Sequence, residues 1–311
     1  MIDLSNQTKI IAAEIEQVAV NLDTAIKAFE GIINRISATS RAAGIVDLEK
    51  MPEDFFSLDG IASAMKKMRS FTKISILEMS DIELSAVVRF VFEMSLWVTY
   101  LAGPVSNGRN YFAHVALENL RHLQKDIKHM EYELIGLRAA EVREDQKLRE
   151  AAEEEFSAGR KLNSEEVVKK VWKENEEHAA AKFSIYGDWA RGGNFGTTAD
   201  YVETEVLPDL RSKSLAVEGR IALLEAAGGK IKKLSVKELA NLANMEQEYE
   251  WLFSHTSRKI HAEPFSISSD FSSLSGHEKF IYVQYMLRKV REMLATSFKV
   301  FKNCPEFKSN S

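Results

Sequence analysis

The 311-residue sequence predicts an all-α fold, a helical bundle carrying a protruding charged antiparallel helical hairpin. Three observations carry that expectation. Apolar residues recur three and four apart over long stretches, the spacing of one helix face. Only 15 Gly and 5 Pro interrupt the chain, and these are the strongest helix breakers. No stretch alternates apolar and polar residues at a period of two over several strands.

Over 7–40, Ile11, Ile15, Val18, Leu22, Ile26, Phe29 and Ile33 form a single apolar stripe and predict a first amphipathic helix. Gly44 and Pro52 mark a loop over 41–59, followed by a short helix over 61–71. Ser80 and Asp81 offer a cap for a strongly apolar helix that ends near Gly103 and Pro104. Its richest part, 84–102, is about long enough to cross a bilayer. Arg89 and Glu93 lie near its middle, however, and each would cost roughly 2.5–3.5 kcal/mol on insertion. A buried bundle helix is expected there, and no membrane span.

A proline-free helical pattern follows over 111–156. From 138 onward it is dominated by alternating charges, with Val142, Leu148 and Phe156 as its large apolar residues. A turn over 157–163 leads into a second charged helix over 164–183. The segment 138–183 therefore reads as a helical-hairpin arm within a single domain spanning 1–311. Such an arm is either a solvated lateral projection or a surface for a protein partner or a homodimer.

Gly187, Gly192, Gly193 and Gly196 predict a loop over 185–198. Helices over 199–207 and 209–227 are separated by Pro208, and Gly228 and Gly229 stop the second. Ser235 and Glu238 fit a capping box for a short helix ending near Asn244. A helix over 245–262 ends before Pro264, a Ser-rich loop covers 266–275, and a last helix spans 276–302 before a frayed tail.

Composition and motifs exclude several classes. The single cysteine, Cys304, rules out an internal disulfide framework and a thiolate-rich zinc site. The start of the chain, with Asp3, Glu14 and Glu16, has no unbroken apolar core of a signal peptide, so a cytoplasmic protein is expected. Neither a P-loop nor a Gly-x-Ser-x-Gly elbow nor His-Glu-x-x-His occurs, and the glycines at 192, 193 and 196 lack dinucleotide spacing. A di-iron bundle needs Glu-x-x-His on two helices; Glu118 with His122 and Glu174 with His178 are each one residue too far apart. No cofactor and no metal are expected. His114, Glu118, Arg121, His122, Lys125 and His129 share one helix face, read as a solvated polar surface.

Polar residues on apolar helices are more informative. Ser85, Arg89 and Glu93 are four apart among Val88, Phe92 and Trp97, and Arg89 can pair with Glu93 along the helix. Burying such a pair is costly unless it is paired and hydrogen-bonded. It is either an ion pair that pins helix register or a site in which Arg89 holds an anion and Glu93 moves a proton. A second line holds Ser254, Ser257, Arg258 and His261, with Ser257 and His261 four apart. If the two lines face each other, Arg89, Glu93, Ser257 and His261 become one catalytic or binding pocket.

Arg89-x-x-x-Glu93 in an apolar helix, followed by Tyr249-x-x-Leu252 and Ser257-x-x-x-His261-Ala262, resembles an uncharacterised bacterial domain-of-unknown-function family. That family is similar to the HEPN helical domains of toxin–antitoxin and abortive-infection systems. The resemblance covers about 82–264. It implies a defence or stress-response protein whose pocket binds or processes RNA without metal. HEPN ribonucleases carry an arginine, four to six intervening residues and then a histidine; here Ser254, His255 and Thr256 occupy the positions where that arginine would fall, and Arg258 is three before His261. Cleavage is therefore not the leading expectation. The alternative is a non-catalytic interaction module that binds a partner through its charged hairpin.

Overall fold

The computed structural model describes residues 4–45, 47, 50–74, 78–159, 164–179, 195–228, 231–260 and 274–303. The fold is an all-α helical bundle, with no strand among the described residues. In chain order the helices are α1 (Leu4–Ala42), α2 (Glu53–Phe71), α3 (Asp81–Leu101), α4 (Ser106–Ser157), α5 (Ser164–Ala179), α6 (Phe195–Tyr201), α7 (Leu207–Gly228), α8 (Val236–Leu242), α9 (Glu246–Ile260) and α10 (Gly276–Asn303). They divide into two compact units, one of residues up to Val115 and from Leu223 onward, the other of Ala116–Ala222.

The first unit is built around α3, which packs against α2, α8, α9 and α10. Its apolar core joins Leu22, Phe29 and Ile32 of α1 to Phe56, Ile61 and Met65 of α2, Leu84, Val88 and Phe92 of α3, Leu252 of α9 and Val283 of α10. Each such side chain stabilises the fold by roughly 1.5–3 kcal/mol when fully buried. Three helices of this unit start with the same device. Glu83, Glu238 and Glu278 accept from the backbone N–H of Ser80, Ser235 and Ser275, and each serine hydroxyl accepts from the glutamate's N–H. Two otherwise orphaned donors are satisfied at each start. After α8, Asn244 takes the left-handed conformation (φ 54°) and Met245 N–H donates to Ala240 O at 2.8 Å, which ends the helix.

The first turn of α4 is pressed onto α2. A Cβ at Gly108 would lie 2.4 Å from Ser57 Oγ and 2.6 Å from Ser57 N, so glycine is what lets the two backbones approach.

The second unit has its own small core of Met130, Leu137, Ala140, Phe195, Ala199, Val202 and Leu207. Arg138 donates to Glu141 at 2.9 Å, to Asp200 at 2.7 Å and to Glu203 at 2.5 Å, tying α4 to α6 and the turn after it. Further along, α5 lies back against α4. Trp172 Nε1 donates to Glu144 Oε1 at 2.7 Å and Lys147 pairs with Glu174 at 3.1 Å.

Three sequence expectations change here. Helix α2 starts at Glu53, not near 61, because Pro52 is placed just before a helix, where its missing N–H costs nothing, and Phe55, Phe56 and Leu58 are buried. The helix also passes through Pro208 instead of breaking. A π-turn over Val202–Val206, closed by Leu207 N–H donating to Val202 O, widens the ladder just before the proline ring. Phe195–Tyr201, expected to be mostly loop, is helical because Phe195 and Ala199 enter the second core. The expected arm 138–183 lies within the stretch Ala116–Ala222 that forms the second unit. The rest of the expected 185–198 loop, most of the Ser-rich loop and the tail lie outside the described residues.

Candidate functional site

The least buried face of α3 carries Arg89, Glu93, Trp97 and Tyr100, spaced four, four and three apart, so they line up over three turns. Arg89 is the centre of a small cluster. Its Nε donates to Glu93 Oε1 at 3.0 Å, one turn on, and Nη1 approaches Ser257 Oγ of α9 at 3.4 Å. Its guanidinium carbon sits 3.8 Å from the centre of the Phe253 ring. Phe253 in turn stacks, tilted, on Tyr249 at 4.3 Å between centroids. Arg89 retains 26% side-chain exposure and Glu93 31%, so the pair is half-buried and not sealed in the core.

Three of the four residues expected to meet therefore do meet: Arg89, Glu93 and Ser257. His261 lies outside the described residues. Ser85, on the same line of α3, is fully buried with no partner for its hydroxyl among the described residues, so it belongs to the core. Ser254 and His255 fall on an exposed side of α9, where the Ser254 hydroxyl donates to Trp251 O at 2.8 Å and the His255 ring stacks on Trp251. Among the described residues nothing but Arg89 touches the Ser257 hydroxyl, and a guanidinium cannot take its proton. The described part of the cluster can hold and orient an anion.

Phe253 was not anticipated as a member, although its spacing of four from Tyr249 and from Ser257 places all three on one face. A second polar cluster was missed entirely. Lys289 of α10 is 4% exposed and is held by Glu248 Oε2 at 2.9 Å and Glu292 Oε2 at 3.1 Å, with its ammonium 3.7 Å from Met245 Sδ. Beside it, burial and then the Glu248 charge push the Tyr285 phenol far up. Glu248, Tyr285, Lys289 and Glu292 line, with Trp251 and Arg288, an open depression of about 550 Å³. The available signal was a lysine at a core-facing position between Met286 and Met293.

The histidine-bearing face of α4 is solvated at Arg121, His122 and Lys125, whereas His114 packs its ring 5.2 Å from Trp97 and His129 pairs with Glu133 at 3.1 Å. Among the described residues no three His, Cys, Asp or Glu side chains converge as metal ligands. Helix α3 is apolar and long enough to cross a membrane by composition, and 61% of its most apolar window is buried in this fold.

Fold and cluster together define the class: an all-α helical bundle with a half-buried arginine clamp between two helices. Compared with known protein families, curated proteins and solved structures, the chain matches none.

Proposed function

We propose that this chain is a HEPN-like, cytoplasmic helical protein of defence or stress response that binds RNA through the Arg89 face of α3. One observation carries the reading: the Arg89 guanidinium uses Nε and Nη1, while Nη2 has no partner among the described residues and the side chain is a quarter exposed. A planar guanidinium held by a carboxylate and resting over a ring keeps its remaining N–H groups for the fork that suits a phosphate. Charge distribution supports the same face. Residues 116–222 hold 22 Asp and Glu against 17 Lys and Arg, the whole of the chain's −5, whereas the unit that carries Arg89 is formally neutral. Binding is favoured over cleavage because the described residues give Ser257 no base.

The test is fluorescence anisotropy with a mixed-sequence single-stranded RNA at about 50 and about 200 mM salt, where counterion release makes phosphate contacts salt-dependent. Saturable binding that weakens with salt and drops in Arg89→Ala supports the proposal. The absence of any shift, or a shift indifferent to Arg89→Ala, overturns it.

A second reading, docking of a protein partner or a second copy on the acidic unit, is favoured by one feature. Tyr132, Ile135 and Val142 form an exposed apolar line on α4, Ile135 being 71% exposed. Sedimentation of the chain and of Ile135→Asp separates the two. Self-association lost in the variant, without RNA binding, favours this reading.

A further inference from the structure

We propose that the pocket between the end of α3 and the start of α4 is a binding site for a phosphate-class oxyanion, distinct from the Arg89 clamp. It is a cavity of about 250 Å³ lined by Glu53, Tyr100, Asn107, Arg109, Asn110 and Lys232. Eleven residues separate Arg89 from Tyr100 along α3, about 16 Å at the helical rise.

Donors from three segments of the chain converge on this cavity. Asn110 Nδ2 donates to Tyr100 Oη at 2.9 Å, and no other bond engages that hydroxyl among the described residues. Since Oη is already an acceptor, its proton is available to an incoming oxygen. Arg109 is mostly buried and forms a salt bridge with Glu53, Nε lying 3.4 Å from Oε1, but that contact is not an aligned hydrogen bond and Nε has no other hydrogen-bond partner among the described residues. A shielded donor whose charge is paired but whose N–H is not hydrogen-bonded gains from an acceptor that reaches it. Lys232 supplies the third group. Its backbone N–H donates to Asn110 Oδ1 at 3.0 Å, which fixes its main chain at the rim, and its exposed ammonium, whose charge acts on the Glu238 carboxylate, makes no salt bridge among the described residues.

Asn110 therefore organises two of the three donors, bonding Tyr100 through its amide nitrogen and Lys232 through its oxygen. The electrostatics point the same way. Two cations sit beside the first turn of a 52-residue helix that has no acidic residue in that turn. Cations at the positive end of a helix are unfavourable, and Glu53 is the one carboxylate lining the cavity to offset them. A dianionic phosphate would accept from Tyr100, Arg109 and Lys232 at once and relieve that repulsion. Whether it arrives as free phosphate or as the monoester of a small nucleotide, the chemistry recognised is the same.

The experiment titrates the full chain, in a phosphate-free zwitterionic buffer, with inorganic phosphate and separately with adenosine 5′-monophosphate. Calorimetry and the melting temperature are read against sodium chloride at matched ionic strength. Saturable binding is expected, with a rise in melting temperature that chloride does not reproduce. Lys232→Ala and Tyr100→Phe should each weaken it roughly tenfold, the loss of one charge-assisted hydrogen bond. Lys232 is exposed, so that variant keeps the fold even if Arg109→Gln does not. Tighter binding of the nucleotide assigns the monoester; equal binding assigns the free anion. No response beyond that of chloride, or a response unchanged in Lys232→Ala and Tyr100→Phe, overturns the proposal. RNA binding is read by anisotropy on the Arg89 face and phosphate binding by the response to Lys232→Ala and Tyr100→Phe, so failure of this site and failure of the RNA reading are separate results.

Discussion

Arg89 lies over the Phe253 ring, its guanidinium carbon 3.8 Å from the ring centroid, so that α3 and α9 are joined by a cation–π contact as well as by the Ser257 hydroxyl. The i,i+4 pair with Glu93 is half-exposed and contributes only about 0.3–0.5 kcal/mol. The ring contact is the larger effect, about 0.5–2 kcal/mol depending on desolvation. Arg89→Ala should destabilise the first unit by roughly 1–2 kcal/mol. Arg89→Lys should recover less than half, because an ammonium cannot lie on the ring and bond two partners in one plane. A double-mutant cycle of Arg89→Ala with Phe253→Leu, followed by urea denaturation, reads the coupling directly. Zero coupling would mean the contact is incidental.

Lys289 is a buried cation whose counter-charges are both within 3.1 Å. Removing one partner of a buried pair leaves the other uncompensated, so Lys289→Ala should cost roughly 3–5 kcal/mol. Lys289→Met combined with Glu248→Gln keeps the volume and removes the stranded charge, and should restore most of the loss. Chemical denaturation measures both. A loss below about 1 kcal/mol in Lys289→Ala would place the lysine's weight elsewhere.

The capping boxes predict an acid limb of stability. The Ser80 hydroxyl and then the Ser80 amide hold the Glu83 carboxyl below its usual value, and the Ser235 amide and hydroxyl do the same for Glu238. A carboxyl depressed in the folded state contributes stability that is present above its unfolded pKa and lost as pH falls through the folded one. The decline should therefore begin near the unfolded value of about 4.3 and continue below it. Glu83→Gln with Glu238→Gln keeps acceptors at both helix starts and should flatten melting temperature against pH in that range. An unchanged acid limb in the double variant would assign it to other carboxyls.

The arm boundary at Arg138 has a consequence for truncation. Ala140 belongs to the second core and Arg138 holds Glu141, Asp200 and Glu203, so deleting 138–183 removes structural parts of that unit. Deleting 143–179 with a short Gly-Ser closure spares them. We expect the shorter deletion to melt cooperatively and the longer one to broaden or lose the transition of the second unit. Equal behaviour in scanning calorimetry would show that the Arg138 network is dispensable.

Much of the fold was legible because its causes are local. The 3-4 spacing of Ile11, Val18, Leu22 and Phe29 defines a helix face wherever the chain lies, and Ser235-x-x-Glu238 satisfies its own backbone donors within four residues. Missed features depended on neighbours. Pro208 reads as a break until Phe195, Ala199, Val202 and Leu207 are seen to share one core, which holds the helix together through a π-turn. Lys289 stands at a core-facing position with Glu292 one turn on, but Glu248, its second counter-charge, reaches it only in the folded chain.

The sequence by itself determined the all-α class, most helix bodies, the capped start of α8 and the polar line Arg89–Glu93, because periodicity and capping act within a few residues. Tertiary structure alone decided that Arg89 rests on Phe253 and reaches Ser257, 168 residues away, and that Tyr100, Arg109 and Lys232 surround one cavity. Such meetings follow from how each helix rotates to bury its apolar stripe, and that rotation is set by the packing of all its neighbours at once.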